Sequence, residues 1–362
     1  MQFALDSEQD LTVQTLRRFA DRDLRSWAAD ADRAAAPPAK LAATAGDLGF
    51  MLDAVPSEAG GLLDGDYSHL TRVLRGYELG RGCAALAALL ETNVEPALAV
   101  ATWGSDAAKR SLFGALSSGG YAALYHDSRG QLQLTSEGSD LCITGKLGPC
   151  PALGVASHVV IATGDALVLL PITSDIQRTA IAPSGWRAAQ WGTANLDATK
   201  LSGDFVLARG DAARQAVTDV LSWARVSLAA RAAGVAAAAM EHAQSYAAER
   251  IQFGQPIGTF ESIIRLRDDA QTQTAAARLF ALHAAWAIDQ RRPDAADLAS
   301  RARVLANDAV SRATIDAVQI YGGYGFVNDF PVEKLMRDAR AFEALHGDER
   351  LSRVLAAKAS QE

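Results

Sequence analysis

Residues 319–349 have the sequence QIYGGYGFVNDFPVEKLMRDARAFEALHGDE. Apolar residues recur at helical spacing before the pair Gly322–Gly323 and again after Pro331. Two adjacent glycines interrupt a helix and leave the backbone uncovered by side chains, so that another molecule can come close to it. The second helix runs toward His346. This stretch therefore predicts two packed helices separated by a backbone gap.

The composition is that of an ordinary globular protein. The chain has 362 residues, of which 49% are apolar and 21% charged, and its net charge is −7 with scattered Lys and Arg. No uninterrupted apolar run approaches the roughly 20 residues that span a bilayer. The three cysteines and six histidines have no metal-ligand spacing. These features predict a cytoplasmic protein with no nucleic-acid partner, no membrane span and no metal site.

The periodicity of the sequence changes twice along the chain. Residues 1–118 predict an amino-terminal helical domain. Residues 119–208 contain short β-rich runs between Gly, Ser and Asp turns, which predict a small β-sandwich or barrel. Residues 209–362 predict a carboxyl-terminal four-helix bundle, with helices at about 211–249, 261–290, 294–321 and 331–359. The predicted fold class is mostly α with a middle β-domain.

Two further motifs accompany the opening stretch. They are AERIQFGQPI at 248–257 and VPSEAGG at 55–61. Together the three resemble the acyl-CoA dehydrogenase family, and the resemblance covers most of the chain. The combination of RxxFGxPI with QxxGGxGFxxDxPVxKxxRDAR at this separation is highly specific. The order of helical, β and helical domains is also that of the family.

The resemblance implies an FAD-dependent enzyme that desaturates an acyl-CoA thioester and passes its electrons to an electron-transfer flavoprotein. In the family, residues matching Arg250 and Phe253 contact the pyrophosphate and adenine side of FAD. The turn matching Gln319, Gly322 and Gly323 lets the backbone approach the flavin's phosphates. These residues act on the FAD that is held mainly by a neighbouring subunit. The alternatives are a surface ion pair for Arg250 and a plain helix-ending turn for the glycines.

The residues that would serve the chain's own FAD differ from the family pattern. ALYHDSRGQ (123–131) stands where the family has Leu-Thr-Glu-Pro-x-Ala-Gly-Ser-Asp, and Gly145 to Pro151 lack the family's Trp and Thr. His346 occupies the position at which most of the family has the catalytic glutamate, and Ala224 occupies the position at which a minority has it. No catalytic residue is therefore predicted. Arg225, beside Ala224, is a substrate-side candidate, and an ordinary ion pair is its equal alternative.

The chain thus has the residues that contact a neighbour's FAD but differs at those that serve its own, and three hypotheses follow. In the first, the chain is the non-catalytic subunit of a heteromeric α2β2 acyl-CoA dehydrogenase, similar to bacterial enzymes of steroid side-chain degradation, and FAD is shared with a catalytic partner subunit. In the second, it is a self-sufficient homotetrameric flavoenzyme in which His346 replaces the glutamate. In the third, it is a structural or regulatory relic that binds neither flavin nor CoA. The sequence favours the first, because a change of base alone does not explain the altered flavin-ring segments.

Overall fold

Helices form the two ends of the chain and strands form its middle. The computed structural model describes residues 5–346 and 348–359. The amino-terminal helices are α1 (Ser7–Phe19), which continues through a π-helical turn at Ala20–Leu24 into α2 (Arg25–Ala34), then α3 (Leu41–Asp47), α4 (His69–Gly82), α5 (Ala84–Leu90), α6 (Val94–Trp103) and α7 (Asp106–Ser117). The mostly helical architecture with a middle β region confirms the predicted fold class.

The middle of the chain contains two four-stranded sheets. One sheet has the order β1 (Ala122–His126), β4 (His158–Ala162), β5 (Ala166–Pro171) and β8 (Val206–Arg209). The other has the order β2 (Leu132–Glu137), β3 (Asp140–Cys150), β7 (Gly192–Leu201) and β6 (Arg178–Ala180). Strands β1 and β4 are parallel, and the remaining neighbours are antiparallel. Buried residues of both sheets, such as Val159 and Ile143, belong to one apolar core.

The carboxyl-terminal part consists of long helices. They are α8 (Gly210–Glu249), α9 (Glu261–Asp289), α10 (Ala295–Tyr321), α11 (Pro331–Ala344) and α12 (Asp348–Ala359). A short hairpin of β9 (Ile251–Gln252) and β10 (Gln255–Pro256) joins α8 to α9.

Helix α8 is buried along most of its length, because small residues let α4 pack closely against it. A Cβ atom on Gly234 would lie 2.1 Å from the carbonyl oxygen of Tyr77, and one on Gly80 would lie 2.5 Å from that of Arg231. No real side chain tolerates such distances, so both positions require glycine. The alanine- and glycine-rich sequence of α8 thus places it at the centre of the helical packing.

The fourth predicted helix of the bundle, 331–359, is wrong as a single element. Helix α11 ends at Ala344, and α12 begins at Asp348. Between them, His346 has a left-handed backbone with φ 50°. Arg303 of α10 donates hydrogen bonds to the carbonyl oxygens of Phe342 at 3.0 Å and His346 at 3.5 Å. A side chain from another helix therefore takes the place of the next helical turn.

Residues Ala84–Trp103 form one segment of the described structure that could cross a membrane by length and composition alone. Its most apolar stretch is 89% buried inside the protein, as in the core helices of a globular protein. Two buried carboxylates, Glu91 and Glu95, lie within the segment and pair with arginines of α4. Their side chains belong to the packed interior of the described structure.

Candidate functional site

The ends of α8 and α10 meet at a concave surface of about 420 Å³, called here the Arg250 cleft. Arg250 follows the last residue of α8, and Gly322, Gly323 and Tyr324 form the turn after α10. All four line the cleft, so the structure brings together three of the residues that the sequence singled out.

Arg250 presents an uncompensated positive charge to this cleft. Its backbone is fixed, since its amide donates to Tyr246 at 2.9 Å and its carbonyl accepts from Ile257 at 2.8 Å. Its exposed guanidinium lies 5.8 Å from the centre of the Tyr324 ring and forms no ion pair within residues 5–346 and 348–359. The alternative of a surface ion pair is therefore not supported within the described chain. A guanidinium held on an aromatic ring is well prepared to bind a phosphate.

The backbone conformation requires glycine at position 322 but not at position 323. Gly322 has φ 60° and ψ −134°, a backbone conformation that side chains exclude. Gly323 has no such constraint, and a Cβ built there would meet nothing within 4 Å. The packing of the described chain does not account for glycine at position 323.

Two other predicted residues lie near the cleft but do not line it. Phe253 is 95% exposed and has φ 51°, and Gln319 is exposed on α10. Phe326, in the turn after α10, is 71% exposed. Large apolar side chains at such exposure are typical of surfaces that a partner covers.

The two predicted positions of a catalytic base carry no carboxylate. Ala224 is buried in α8. His346 lies between α11 and α12, and it lines the same cavity as His126. Gly347, the next residue of the family motif, lies outside the described residues.

The surroundings of His346 make its imidazole a weak base. Burial is the largest cause that lowers its pKa, and the positive charge of Arg303 is the next. His126, Arg231 and Arg225 lower the pKa further, so that it lies well below its usual range. Such an imidazole is neutral near pH 7 but has little affinity for a proton, whereas a good general base titrates near the working pH.

Arg225 is a buried arginine without a partner in the described structure. Its side chain is 3% exposed, and neither an ion pair nor a hydrogen bond connects it to residues 5–346 or 348–359. Burial lowers its pKa to about 10. The alternative of an ordinary helical ion pair is therefore not supported. Its Nε atom is buried without a hydrogen-bond partner among the described residues, which is unusual for a buried polar atom.

Two models of known families match the chain. One describes the acyl-CoA dehydrogenase N-terminal domain and matches residues 6–120, and the other describes the acyl-CoA dehydrogenase C-terminal domain and matches residues 214–360. The chain belongs to the acyl-CoA dehydrogenase family.

The chain is similar to individual acyl-CoA dehydrogenases. One from Bacillus subtilis is 42% identical over 138 residues, or 38% of this chain and 36% of that protein. A glutaryl-CoA dehydrogenase of Desulfococcus multivorans is 28% identical over 381 residues, or 99% of this chain and 97% of that protein. The structure of butyryl-CoA dehydrogenase from Megasphaera elsdenii has a TM-score of 0.90 at 22% identity and covers 100% of both chains. Homologues in the family bind FAD.

This acyl-CoA dehydrogenase chain contains a buried ionic cluster that sequence reasoning missed. Glu91, at the end of α5, lies 3.0 Å from Arg75, 3.8 Å from Arg231 and 3.9 Å from Arg72. Arg72 also pairs with Glu95 at 2.9 Å. The sequence contained only one signal of the cluster, namely charged residues close to a long apolar run.

No group of three or more His, Cys, Asp or Glu side chains within the described ranges could hold a metal ion.

Proposed function

We propose that this chain is the non-catalytic subunit of a heteromeric acyl-CoA dehydrogenase. The assembled enzyme would introduce the α,β double bond of an acyl-CoA thioester, with a partner subunit supplying the catalytic glutamate. Arg250, Gly322 and Gly323 would bind the diphosphate of the FAD held by that partner, and Phe253 and Gln319 would flank it. When bound, FAD accepts the hydride from the substrate's β-carbon.

The observation that supports this proposal most strongly is the combination of Gly323 with Arg250. Among the residues that the structure describes, nothing fills the space beside Gly323 and no carboxylate pairs with Arg250. Both properties are useful for a cofactor that approaches from outside, because its phosphates need close backbone contact and positive charge.

The chain's own site supports the non-catalytic role. Neither Ala224 nor His346 offers a carboxylate, and the arginines around His346 lower the pKa of its imidazole. Pro149 and Pro151 stand where the family has the Trp and Thr that touch the flavin ring, and proline offers neither an indole ring nor a hydroxyl group. The second hypothesis, with His346 as the base, therefore has less physical support.

The remaining roles belong to the assembled enzyme. Its substrate would be an acyl-CoA, with lipid or steroid catabolism in the cytoplasm as the proposed setting, and an electron-transfer flavoprotein would be its acceptor. Arg225 stays a substrate-side candidate, although it is buried.

The chain purified alone is expected to lack flavin absorbance and to show no change on addition of acyl-CoA. The physical reason is that its proposed contacts with FAD face outward, toward a cofactor seated in another subunit. One FAD per isolated chain, with bleaching by acyl-CoA that is lost in His346→Ala, would contradict the proposal and establish the self-sufficient enzyme instead.

A further inference from the structure

A second concave surface, the His346 cavity, has a volume of about 320 Å³. It lies between strands β1 and β3 and the segment that follows α11. Four basic side chains line it, and none of its lining residues is Asp or Glu. The four are His126, Arg129, Lys146 and His346. The rest of the lining is apolar or uncharged, and its positive charge near pH 7 comes from Arg129 and Lys146, because burial lowers the pKa of both His126 and His346.

The buried guanidinium of Arg225 adds to the positive charge around this cavity. Its charge lowers the pKa of both His126 and His346. Its buried Nε atom has no hydrogen-bond partner among the described residues. The Nδ1 atom of His126 is also buried without a hydrogen-bond partner among the described residues.

Two acids of the described structure near these groups are engaged in other contacts. Asp127 follows His126, but its two carboxylate oxygens accept hydrogen bonds from the backbone amides of Gln131 and Leu132, each at 2.9 Å. Glu91 is 3.8 Å from Arg231 and is shared with the arginines of α4. The lining residues that the structure describes therefore carry a net positive charge, supplied by Arg129 and Lys146.

We propose that the His346 cavity binds a small oxyanion, namely a phosphate- or carboxylate-bearing molecule. Arg129 and Lys146 would bind it at the rim, and the charge of Arg225 would attract it from behind. The inference rests on the proposed function in one respect. If the chain binds no flavin of its own, this cavity is free to bind another ligand. Arginine and lysine are the side chains that bind oxyanions most strongly.

Calorimetric titration of the co-purified complex at constant ionic strength tests this inference. Inorganic phosphate and acetate are the two probes, and sodium chloride is the reference salt. One saturable site per copy of this chain is expected for at least one probe. The preferred probe decides between the phosphate and carboxylate classes. Saturation by neither probe would overturn the proposal.

Two variants locate the site. The double variant Arg129→Ala/Lys146→Ala is expected to weaken binding at least about tenfold while the FAD content of the complex stays constant. The matched control is Arg18→Ala/Lys358→Ala, which removes two exposed positive charges elsewhere and should leave binding unchanged. Equal affinity in both double variants would contradict the assignment.

A second measurement does not depend on how the variants fold. Acylation of Lys146 in the unmodified complex, followed by mass spectrometry, should be slowed at least severalfold by the bound probe, whereas Lys358 should react at an unchanged rate. Lack of protection at Lys146 would overturn the proposal. The FAD content, measured in the same samples, reports separately on the proposed function.

Discussion

Arg250→Ala is expected to release most of the FAD from the assembled complex. The variant removes an exposed guanidinium that no described residue pairs, in a cleft that two glycines leave open. Hydrogen bonds to charged groups contribute about 1.5–3 kcal/mol, so FAD should bind roughly 10- to 150-fold more weakly. The measurement is flavin absorbance per complex after dialysis, with the chain co-expressed with a catalytic acyl-CoA dehydrogenase subunit that forms a complex with it.

Three controls make this result specific. Arg18→Ala removes an equally exposed arginine from α1 and should retain the flavin. Gly323→Ala should also lose flavin, although a Cβ there meets nothing in the chain itself and should leave its stability unchanged. Replacing the arginine of the partner subunit that corresponds to Arg250 should have little effect on the flavin content. That arginine would face this chain's own site, which holds no flavin in the proposed assembly. Full flavin retention in Arg250→Ala would favour the third hypothesis, in which the chain is a structural or regulatory relic that binds neither flavin nor CoA.

Glu91→Gln is expected to destabilise the folded chain by about 3–5 kcal/mol, because it leaves buried arginines without their shared carboxylate. Burial alone would raise the pKa of Glu91, but the charges of Arg75, Arg72 and Arg231 outweigh it and hold the pKa below its usual range. The carboxylate therefore contributes stability above the unfolded-state pKa of about 4.3, and that contribution is lost as the pH falls.

Urea unfolding of the variant and the unmodified protein near neutral pH measures this effect. Glu58→Gln is the matched control, since Glu58 is exposed and should change the free energy of unfolding by less than about 0.5 kcal/mol. A Glu91→Gln variant as stable as the Glu58→Gln control would mean that the buried arginines find other partners.

The sequence predicted the long helices well where glycine and proline punctuate them. The predicted range 261–290 compares with Glu261–Asp289 in the structure, and 294–321 with Ala295–Tyr321. The break after Ala344 was missed because its cause is not local. Arg303 takes up the carbonyls that the next turn would have bonded, and only tertiary structure brings it there.

Only part of the candidate site could be predicted from the sequence, because motifs are local and burial is not. The motifs identified Arg250 and the glycine pair, which are close together because they follow two helices that end side by side. The sequence could not distinguish an ion-paired Arg225 from an unpaired one, because burial and partners depend on the whole packing. The charges around Glu91 looked like ordinary helix residues until the packing of α4 against α8 enclosed them.

The number of FAD molecules per assembled complex tests the division of labour between the two subunits most directly. Quantitative flavin absorbance, combined with the mass of the complex from light scattering, gives this number. One FAD for each pair of different chains is the expected result. One FAD for every chain, including this one, would contradict the proposal that it completes its partner's site and leaves its own without flavin.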